Sequence, residues 1–389
     1  MGSHWTLPFF DDQHRQLASD LDTWASAQHV DESDDRAACR EWVKRLGDAG
    51  WLRYCVPAAF GGAWPQLDSR ALVVIRETLS RHSPLADFAF AMQGLGSGAI
   101  TLGGSLAQQQ RYLPAVAKGH MIAAFALSEP QAGSDVAGMQ TTAMPKAAGF
   151  ELNGEKTWIS NGGMADFYVV FAKTDATAGA RGMSAFIVDA PHQGLDDSEH
   201  LQVMSPHPLA RLRFQQCTLT SDTLLGDLNG GFKLAMRTLD VFRASVAGAA
   251  LGMARRALQE AVQHSQSRRM FGQALSDFQL TQARLGDMAC LIESAALLTY
   301  RAAWLRDTHG TAGERAAAYT QAAAMAKLCA TENASRVIDM ALQLHGGLGV
   351  LVGEKLESLY RDIRSLRIYE GASEVQQLII GKSVLKGVT

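Results

Sequence analysis

The chain is 389 residues long, with 47% hydrophobic and 19% charged residues, the composition of an ordinary globular protein with two or three domains or one large multilayer unit. Its formal net charge of −3 gives no reason to expect a nucleic acid or an anionic membrane surface as a partner. No segment approaches the roughly 18 uninterrupted apolar residues that a membrane-spanning helix requires.

Targeting and metal-binding signals are also lacking in the sequence. The N-terminal residues do not have the basic start and apolar run of a secretory signal peptide. The five cysteines are scattered, odd in number and form no Cys-x-x-Cys pair, so neither a disulfide framework nor a zinc site is predicted. Idle thiols of this kind point to a reducing, cytoplasmic location. The 11 histidines show no His-Glu-x-x-His or other ligand spacing, so we predict no metal.

The first third of the chain is predicted to be helical. Residues 71–78 and 108–116 have apolar residues at three- and four-residue steps, and clusters of proline and glycine separate such stretches. We expect a helical N-terminal domain over residues 1–119. The run GLGSG at residues 94–98 resembles a dinucleotide-binding fingerprint, but it follows no predicted strand, so we reject a Rossmann site there and expect loop glycines or close helix packing.

From residue 120 the sequence changes to short apolar runs separated by turn signals. One of these runs contains Asn153-Gly154, a dipeptide typical of the turn of a β-hairpin. No helix of the length that a parallel βαβ sheet requires is predicted between the runs. We therefore expect a small antiparallel β domain over residues 120–225, with strands within residues 121–127, 150–159, 166–173, 183–189 and 209–214.

The remainder of the chain is predicted to be strongly helical. Residues 232–266 indicate one long helix and residues 316–345 a second, alanine-rich one, which Gly346-Gly347 ends in the manner of a glycine cap. Small residues allow close helix packing, so we expect a four-helix bundle domain over residues 226–389. The predicted fold class is α+β and mostly helical, with helical, β and helical domains in that order.

A glutamate near the C-terminus has the surroundings of a catalytic base. Glu370 lies in RDIRSLRIYEGASEVQ, between two bulky residues and a Gly-Ala-Ser turn. Apolar residues before it and a chain-bending glycine after it would hold its carboxylate against a buried ligand, and partial desolvation would raise its pKa towards neutrality. Taken alone, the same pattern is also that of a solvated glutamate at a helix start.

Four other segments carry signals that fit this function. They are FALSEPQAGSD at residues 125–135, LNGEKTWISNG at 152–162, RRMFGQALSDFQLTQARLGDM at 268–288 and ALQLHGGLGV at 341–350. Together with the Glu370 segment they resemble the acyl-CoA dehydrogenase family, in its order and spacing, from about Val56 to the C-terminus. The resemblance implies the family's architecture of a helical domain, a β domain and a helical bundle that usually forms tetramers.

FAD is the cofactor that the resemblance implies. By matching position, residues 125–135 pass along the flavin ring, Trp158 and Ser160 flank the isoalloxazine, and Ser160 replaces a commoner threonine. Arg268 matches an arginine that holds the FAD of a neighbouring subunit, and a guanidinium suits a pyrophosphate because it donates two parallel hydrogen bonds. A homo-oligomer, either a tetramer or a dimer, is therefore expected. The residues implied to bind FAD are Phe125, Leu127, Ser128, Gly133, Trp158, Ile159, Ser160, Arg268, Phe271, Gln279, Gln343, Gly346, Gly347 and Ala372.

Four residues are implied to contact the substrate. Asp240 and Arg243 lie one helical turn apart, the spacing of a helix-face salt bridge, and the family places the matching pair near the substrate. Ser134 matches a contact to the pantetheine or phosphate part of the thioester, and Gly371 follows the implied base.

The implied reaction removes two hydrogens from adjacent carbons of an acyl thioester, in the first place an acyl-CoA. A subgroup of the family carries its base at the position of Phe242, and since phenylalanine accepts no proton, Glu370 is the implied base. Its carboxylate would take the α-proton, its backbone N–H would help to bind the enolate oxygen, and FAD would take the β-hydrogen as hydride. An electron-transferring flavoprotein is the implied electron acceptor.

Two departures from the family pattern are present: the first removes an expected flavin contact, and the second leaves the substrate open. Ala372 replaces the usual threonine after the base, and residues 205–214 (SPHPLARLRF) depart from the usual Gly-Arg-x-Ser run. The second variant is similar to family members that act on carrier-protein-bound acyl groups in polyketide or nonribosomal pathways, so dehydrogenation of a hydroxy- or amino-acyl carrier protein is the alternative. A flavin-dependent oxidase or hydroxylase relative is disfavoured because Glu370 is present. A helical interaction protein that has lost FAD is disfavoured because the implied flavin residues are intact.

Overall fold

The computed structural model describes residues 3–310 and 314–387. Within them the chain divides into two compact units. A helical unit comprises the described residues of Met1–His29, Asp68–Asp87 and Asp240–Thr389, and a sheet unit comprises Val30–Leu67 and Phe88–Leu239. Along the chain, helices come first, then strands, then long helices, which confirms the predicted fold class. The predicted domain ranges 1–119, 120–225 and 226–389 stay a prediction.

The predicted helical stretches 71–78, 108–116, 232–266 and 316–345 all lie inside helices of the structure. The helices are α1 (Asp12–Ser26), α2 (Asp35–Asp48), α3 (Ser69–His82), α4 (Pro84–Gly103), α5 (Leu106–Ala117), α6 (Gly231–Ser267), α7 (Gln279–His309), α8 (Glu314–His345), α9 (Lys355–Leu366) and α10 (Ser373–Leu385). The left-handed Gly346, with a φ of +59°, ends α8 as the predicted glycine cap.

The helical unit packs through small residues on α8 and an almost wholly buried α3. Ala323, Ala324 and Ala326 of α8 are fully buried, which lets the neighbouring helices approach closely. Helix α3 is preceded by Asp68, whose side chain accepts a hydrogen bond from the Ala71 amide at 2.8 Å and caps the helix. These helices form the frame that carries Glu370.

One sheet forms the core of the sheet unit. Its strands are β1 (Ala123–Ala126), β2 (Thr142–Lys146), β3 (Gly149–Ser160), β4 (Phe167–Lys173), β5 (Met183–Asp189), β6 (Leu195–Leu201), β7 (Leu209–Thr220) and β8 (Leu224–Leu225). The order is β6-β7-β3-β2-β4-β5-β8, and β1 also pairs with β4. Most pairs are antiparallel as predicted, but β4 is parallel to both β1 and β2. Strands β2, β6 and β8 lie outside the predicted strand ranges. The sequence of β6, LDDSEHL, is polar and the strand is only half-buried, so it has no apolar run that would predict it.

The predicted hairpin turn at Asn153-Gly154 is wrong. Strand β3 runs through this dipeptide and pairs with β7, with a shift of register at that point. Gly154 has a φ of +141°, and a Cβ there would lie 2.6 Å from the Cα of Thr141. The glycine therefore serves a bulge and a close approach of two chain segments, which are the other uses of glycine inside strands.

Residues 94–98 lie inside α4, where a Cβ on Gly96 would come within 2.6 Å of the Cβ of Ala123 in β1. Close helix packing, one of the two expected reasons for these glycines, therefore accounts for Gly96.

Across the part of the chain that the structure describes, none of the helices has the length and apolar character needed to cross a membrane. In the same residues, no three or more His, Cys, Asp or Glu side chains are grouped so that they could hold a metal ion.

Candidate active site

Glu370 lies in the loop between α9 and α10 of the helical unit. Its φ is +52° and that of Gly371 is +94°, so two consecutive residues adopt the left-handed conformation. This conformation costs a non-glycine residue on the order of 1 kcal/mol and persists only where the surroundings enforce it. A side chain at position 371 is disfavoured by the positive φ, and its Cβ would lie 2.4 Å from Nε2 of Gln376, so the Gln376 side chain would have to move. The loop therefore makes a sharp, enforced turn at the glutamate.

Two donors hold the carbonyl that follows Glu370. Nζ of Lys327, on α8, donates to the Gly371 carbonyl oxygen at 2.7 Å, and Nε2 of Gln376, on α10, donates to it at 2.9 Å. The Glu370 loop is thus fastened to two helices through one carbonyl group.

The carboxylate of Glu370 has an unpartnered oxygen and a raised pKa. Its Oε2 atom is buried and accepts no hydrogen bond from any described residue. Burial raises the pKa of this carboxyl, the cations Arg76 and Lys327 offset part of the rise, and the Asp87 carboxylate adds to it. A raised pKa brings a carboxylate closer to the range in which it accepts a proton at neutral pH.

A buried ion pair lies within electrostatic reach of Glu370. The Arg76 guanidinium, on α3, donates from Nε and Nη2 to the two carboxylate oxygens of Asp87 at 2.8 and 2.9 Å. Nη1 of Arg76 donates to the Ser245 hydroxyl, on α6, at 3.1 Å. All three side chains are buried, so the Arg76–Asp87 ion pair lies in the core of the helical unit, where water screens its charges little.

Asp240 and Arg243 form the predicted helix-face pair on α6. An Arg243 Nη1 group donates to Asp240, and the Asp240 carbonyl accepts a hydrogen bond from the Tyr319 hydroxyl at 2.5 Å. Nε of Arg243 is buried and donates to no described residue. The positive charge of Arg243 also lowers the pKa of Glu370. Arg243 Nε and Glu370 Oε2, both without a hydrogen-bond partner among the described residues, therefore belong to side chains that interact electrostatically. The neighbouring Phe242 is fully buried.

In the sheet unit, a buried lysine fastens the segment that follows β1. Nζ of Lys156, on β3, donates to the Leu127 carbonyl at 3.1 Å and to a Glu129 carboxylate oxygen at 2.8 Å. The Glu129 carboxylate also accepts the backbone amides of Gln140 and Thr141, at 2.6 and 3.0 Å. Burial lowers the pKa of Lys156 to about 8, although Glu129 opposes the shift. The pair fixes Leu127 and Ser128, two of the implied flavin residues.

Replacing Lys156 by methionine is expected to lower the free energy of unfolding by ~3–5 kcal/mol, because it leaves Glu129 buried without its cation. The variant should also retain less flavin on purification. The control is Lys44→Met, which breaks the exposed Lys44–Asp48 pair and should change stability by less than ~1 kcal/mol. Equal denaturant midpoints for the two variants would show that the buried pair does not hold this segment.

Trp158 is the most unusual of the implied flavin residues in the sheet unit. Its φ is +59° and its side chain is 58% exposed, next to the end of β3. The Thr157 amide donates to the Ser128 carbonyl at 3.0 Å, which brings the segment after β1 beside the tryptophan. The Ile159 side chain is buried, whereas Ser160 is half-buried. An exposed indole on a strained, and therefore fixed, backbone is suited to stacking against a planar ring.

The remaining implied residues of the sheet unit surround the same segment. Phe125 lies in β1 and its ring contacts that of Phe171 at 4.9 Å between centroids. Gly133 and Ser134 lie in the exposed turn beyond it, and a Cβ on Gly133 would meet nothing within 4 Å. There is open space at this glycine for a bound group.

Most of the implied FAD residues of the helical unit are exposed and lie near helix ends, whereas Ala372, just before α10, is half-buried. Arg268 follows α6, and Phe271 sits at the tip of the small hairpin β9 (Arg269–Met270) and β10 (Gln273–Ala274), where it is 87% exposed. The His264 and His345 rings stack at 4.1 Å, which places the end of α6 beside the end of α8. The structure thus brings Arg268 close to the segment of Gln343, Gly346 and Gly347, while Gln279 begins α7.

The variant segment at residues 205–214 is packed into the sheet unit. The Ser205 hydroxyl and the His207 ring are buried, and His207 stacks on Phe88 of α4 at 4.5 Å. Burial lowers the pKa of His207 to about 4, so this ring is neutral at physiological pH.

Four charged residues around these segments were not predicted from the sequence: Arg76, Asp87, Lys327 and Lys156. Arg76 and Asp87 each interrupt an apolar run, ALVVIRETL and PLADFAF, and Lys327 lies in the alanine-rich AAAMAKL. For Asp87 and Lys327, a single charge inside an apolar helical stretch was the signal that could have indicated a buried, paired group. Arg76 is followed directly by Glu77, and Lys156 lies in a polar stretch of β3, so neither stands out in this way.

Comparison with protein families gives one result over most of the chain. Models described as the N-terminal, middle and C-terminal domains of acyl-CoA dehydrogenase match residues 11–120, 124–217 and 229–385.

Three characterised proteins illustrate the similarity. The "3-(aryl)acrylate reductase" of Clostridium sporogenes is 38% identical over 97% of this chain and 100% of its own length. The "Caffeyl-CoA reductase-Etf complex subunit CarC" of Acetobacterium woodii is 35% identical over 97% of this chain and 100% of its own. The human "Short-chain specific acyl-CoA dehydrogenase, mitochondrial" is 39% identical over 88% of this chain and 82% of its own.

Solved structures agree with these similarities. Butyryl-CoA dehydrogenase from Megasphaera elsdenii has a TM-score of 0.90 at 31% identity, with 97% of this chain and 99% of that chain covered. An acyl-CoA dehydrogenase complexed with FAD from Bacillus anthracis has a TM-score of 0.89 at 30% identity, over 97% of this chain and 67% of that chain. The prolyl acyl carrier protein oxidase AnaB has a TM-score of 0.88 at 26% identity, over 96% of this chain and 99% of that chain.

Proposed function

Because the chain belongs to the acyl-CoA dehydrogenase family, we propose that it removes the α- and β-hydrogens of an acyl-CoA, with Glu370 as the base. It is an FAD-dependent oxidoreductase that acts on CH–CH bonds. The observation that carries the proposal is the buried, unpartnered Oε2 of Glu370. A carboxylate oxygen without a donor is free to accept a proton from carbon.

Groups of the helical unit, and Ser134 of the sheet unit, act on the thioester in this proposal. The Glu370 carboxylate takes the α-proton, and the Glu370 backbone N–H donates to the thioester carbonyl oxygen, where the enolate charge develops. The unused Nε of Arg243 supports a role in substrate binding, because a buried donor without an acceptor calls for one from the ligand. Asp240 orients Arg243, and Ser134 and Gly371 complete the proposed substrate contacts.

The residues present fit a flavin. The exposed Trp158 ring and the open space at Gly133 suit a planar ring system, and Lys156 fixes the adjoining Leu127 and Ser128. When bound, FAD supplies the acceptor for the β-hydrogen. The proposed FAD residues are the fourteen that the family resemblance implies: Phe125, Leu127, Ser128, Gly133, Trp158, Ile159, Ser160, Arg268, Phe271, Gln279, Gln343, Gly346, Gly347 and Ala372.

The proposal includes a homo-oligomer. Phe271, Leu280 and Val352 of the helical unit expose more than four-fifths of their side chains, an unusual state for large apolar residues. Burial against a second copy would remove this apolar surface from water. We expect sedimentation equilibrium to give a multiple of the chain mass of 41.9 kDa, and a species of one chain mass would contradict the proposal.

A carrier-protein substrate is the second candidate, and the similarity to AnaB favours it. In that reading the same Glu370 chemistry acts on an acyl group tethered to a protein. Two relatives are named reductases, so the reverse direction, in which Glu370 returns the α-proton to an enoyl thioester, uses the same residues. The relative named as part of an Etf complex supports an electron-transferring flavoprotein as the redox partner.

The test is an anaerobic titration of the purified holoenzyme with saturated straight-chain, branched and arylpropionyl-CoAs, monitored by flavin absorbance. Stoichiometric bleaching by at least one acyl-CoA is the expected result. Bleaching only by an acyl group on a carrier protein would favour the second candidate. A flavin that neither class bleaches, and that enoyl thioesters do not reoxidise after chemical reduction, would contradict both.

A further inference from the structure

Lys327 is a buried cation in the middle of an alanine-rich helix. Its side chain has no exposed surface, and its Nζ donates to the Gly371 carbonyl at 2.7 Å. Burying an ammonium group is unfavourable unless it is paired and hydrogen-bonded, so a lysine at this position requires a compensating interaction. The acceptor is the backbone carbonyl of Gly371, the residue that follows Glu370.

The segment that Lys327 holds is strained. Glu370 is left-handed, which costs a non-glycine residue free energy and disfavours the turn in isolation, whereas Gly371 adopts the same conformation at little cost. Gln376, itself buried, supplies a second hydrogen bond to the same Gly371 carbonyl at 2.9 Å. Two converging donors on one acceptor offset the strain and fix the direction of the Glu370 side chain.

A second set of contacts holds the outer side of the loop. Glu332 of α8 accepts Nε of Arg367 at 2.8 Å and the Ser373 hydroxyl at 2.5 Å. The Ser373 amide donates to the Arg367 carbonyl at 3.1 Å. Helix α8 therefore holds the loop at two places. Lys327 binds its middle, at Gly371, and Glu332 binds its two ends, at Arg367 and Ser373.

Charge complements this geometry. The groups that act electrostatically on Lys327 are the carboxylates of Glu370, Glu332 and Glu374 and the guanidinium of Arg243, and Glu370 makes the largest favourable contribution. Burial lowers the pKa of Lys327 to about 8, so the side chain is mostly cationic at neutral pH and loses its charge in mildly alkaline solution.

We propose that Lys327 is a positioning residue for Glu370: it fixes the left-handed turn through the Gly371 carbonyl and supplies the positive charge that favours the carboxylate form of the base. This inference rests on the proposed role of Glu370. Lys327 itself touches neither the reacting carbon nor the flavin in this account.

Three variants separate the two parts of the proposal. Lys327→Met removes the donor and the charge, Lys327→Gln keeps a donor without the charge, and Lys327→Arg keeps both. Lys382→Met, at an exposed position on α10, is the matched control.

The first measurement is hydrogen–deuterium exchange of the peptide covering residues 367–376 in the holoenzyme, which does not depend on turnover. Lys327→Met should speed its exchange by ~10-fold or more, while Lys327→Gln, Lys327→Arg and the control should stay within ~3-fold of the wild type. Wild-type protection in Lys327→Met would overturn the positioning role. If Lys327→Met does not fold, Lys327→Ala takes its place, because it also removes the donor: exchange ~10-fold faster than in the wild type would support the contact, and wild-type exchange would overturn it.

The second measurement is the pH dependence of kcat/KM with an acyl-CoA that bleaches the wild type. The rise of activity with pH reports ionisation of Glu370, and its midpoint should move up by ~1 pH unit in Lys327→Met and Lys327→Gln but not in Lys327→Arg. An unchanged midpoint in both uncharged variants would overturn the charge role. Near-normal turnover of Glu370→Gln would instead refute the proposed base, whatever the exchange result.

Discussion

Replacing Glu370 by glutamine is expected to lower kcat/KM for an acyl-CoA by at least ~10³-fold, while FAD stays bound. Glutamine has almost the same size and leaves the loop contacts through Gly371 in place, but its neutral amide cannot act as a base towards the α-carbon. The rate of flavin bleaching after rapid anaerobic mixing measures the loss directly. Flavin content of the purified variant shows whether the site is intact.

The pKa of Glu370 also predicts how the stability of Glu370→Gln compares with that of the wild type. Because folding raises the pKa of Glu370 above its ordinary value of 4.5, this group makes the wild type less stable as the pH rises above 4.5. Glutamine is neutral at every pH, so Glu370→Gln should be at least as stable as the wild type at pH 8. Urea unfolding at pH 5 and pH 8 tests this sign, since the gap between the two proteins should widen at pH 8.

Glu374→Gln is the matched control for the activity of Glu370→Gln. Glu374 lies four residues further along, on the exposed side of α10, and should keep wild-type turnover. A Glu370→Gln variant with turnover as high as that of Glu374→Gln would place the base elsewhere.

Replacing Asp87 by leucine is expected to lower the free energy of unfolding by ~3–5 kcal/mol, because Arg76 then remains buried without a counter-charge. Replacing both partners, as in Arg76→Met/Asp87→Leu, should recover most of that loss, since an apolar pair of similar volume carries no desolvation penalty. Urea denaturation of the two single variants and the double variant measures the coupling between them. Strictly additive losses would show that the two side chains do not act as a pair.

The pair also bears on catalysis through charge. Arg76 lowers the pKa of Glu370 and Asp87 raises it, so the double variant removes two opposed effects together. Its pH profile for kcat/KM should therefore lie closer to that of the wild type than the profile of Arg76→Met. This links the stability of the helical core to the ionisation of the proposed base.

The sequence predicted the main elements because their signals are local. The long helices α6 and α8 follow from apolar periodicity and, for α8, a terminal glycine. The order of helices and strands follows from the change from helical periodicity to short apolar runs at residue 120 and back to helical periodicity at residue 226. The dipeptide Asn153-Gly154 misled because a glycine required by a bulge and one required by a turn look alike in sequence.

The electrostatic surroundings of Glu370 lay beyond such signals. Arg76 meets Asp87 across 11 positions of chain and Ser245 across 169, and Lys327 meets Gly371 across 44. These contacts depend on how separate helices pack, which periodicity within each helix does not specify. The sequence therefore pointed to the candidate base, and the structure adds the groups that act on its charge and hold its loop.

Exchange of the α-hydrogen of a saturated acyl-CoA with solvent deuterium, followed by mass spectrometry under anaerobic conditions, tests the central claim most directly. It reports proton removal from carbon by the protein, separately from hydride transfer. We expect the wild type to incorporate deuterium at the α-carbon and Glu370→Gln to incorporate none above the enzyme-free rate. Exchange by Glu370→Gln at the wild-type rate would contradict the assignment of Glu370 as the base.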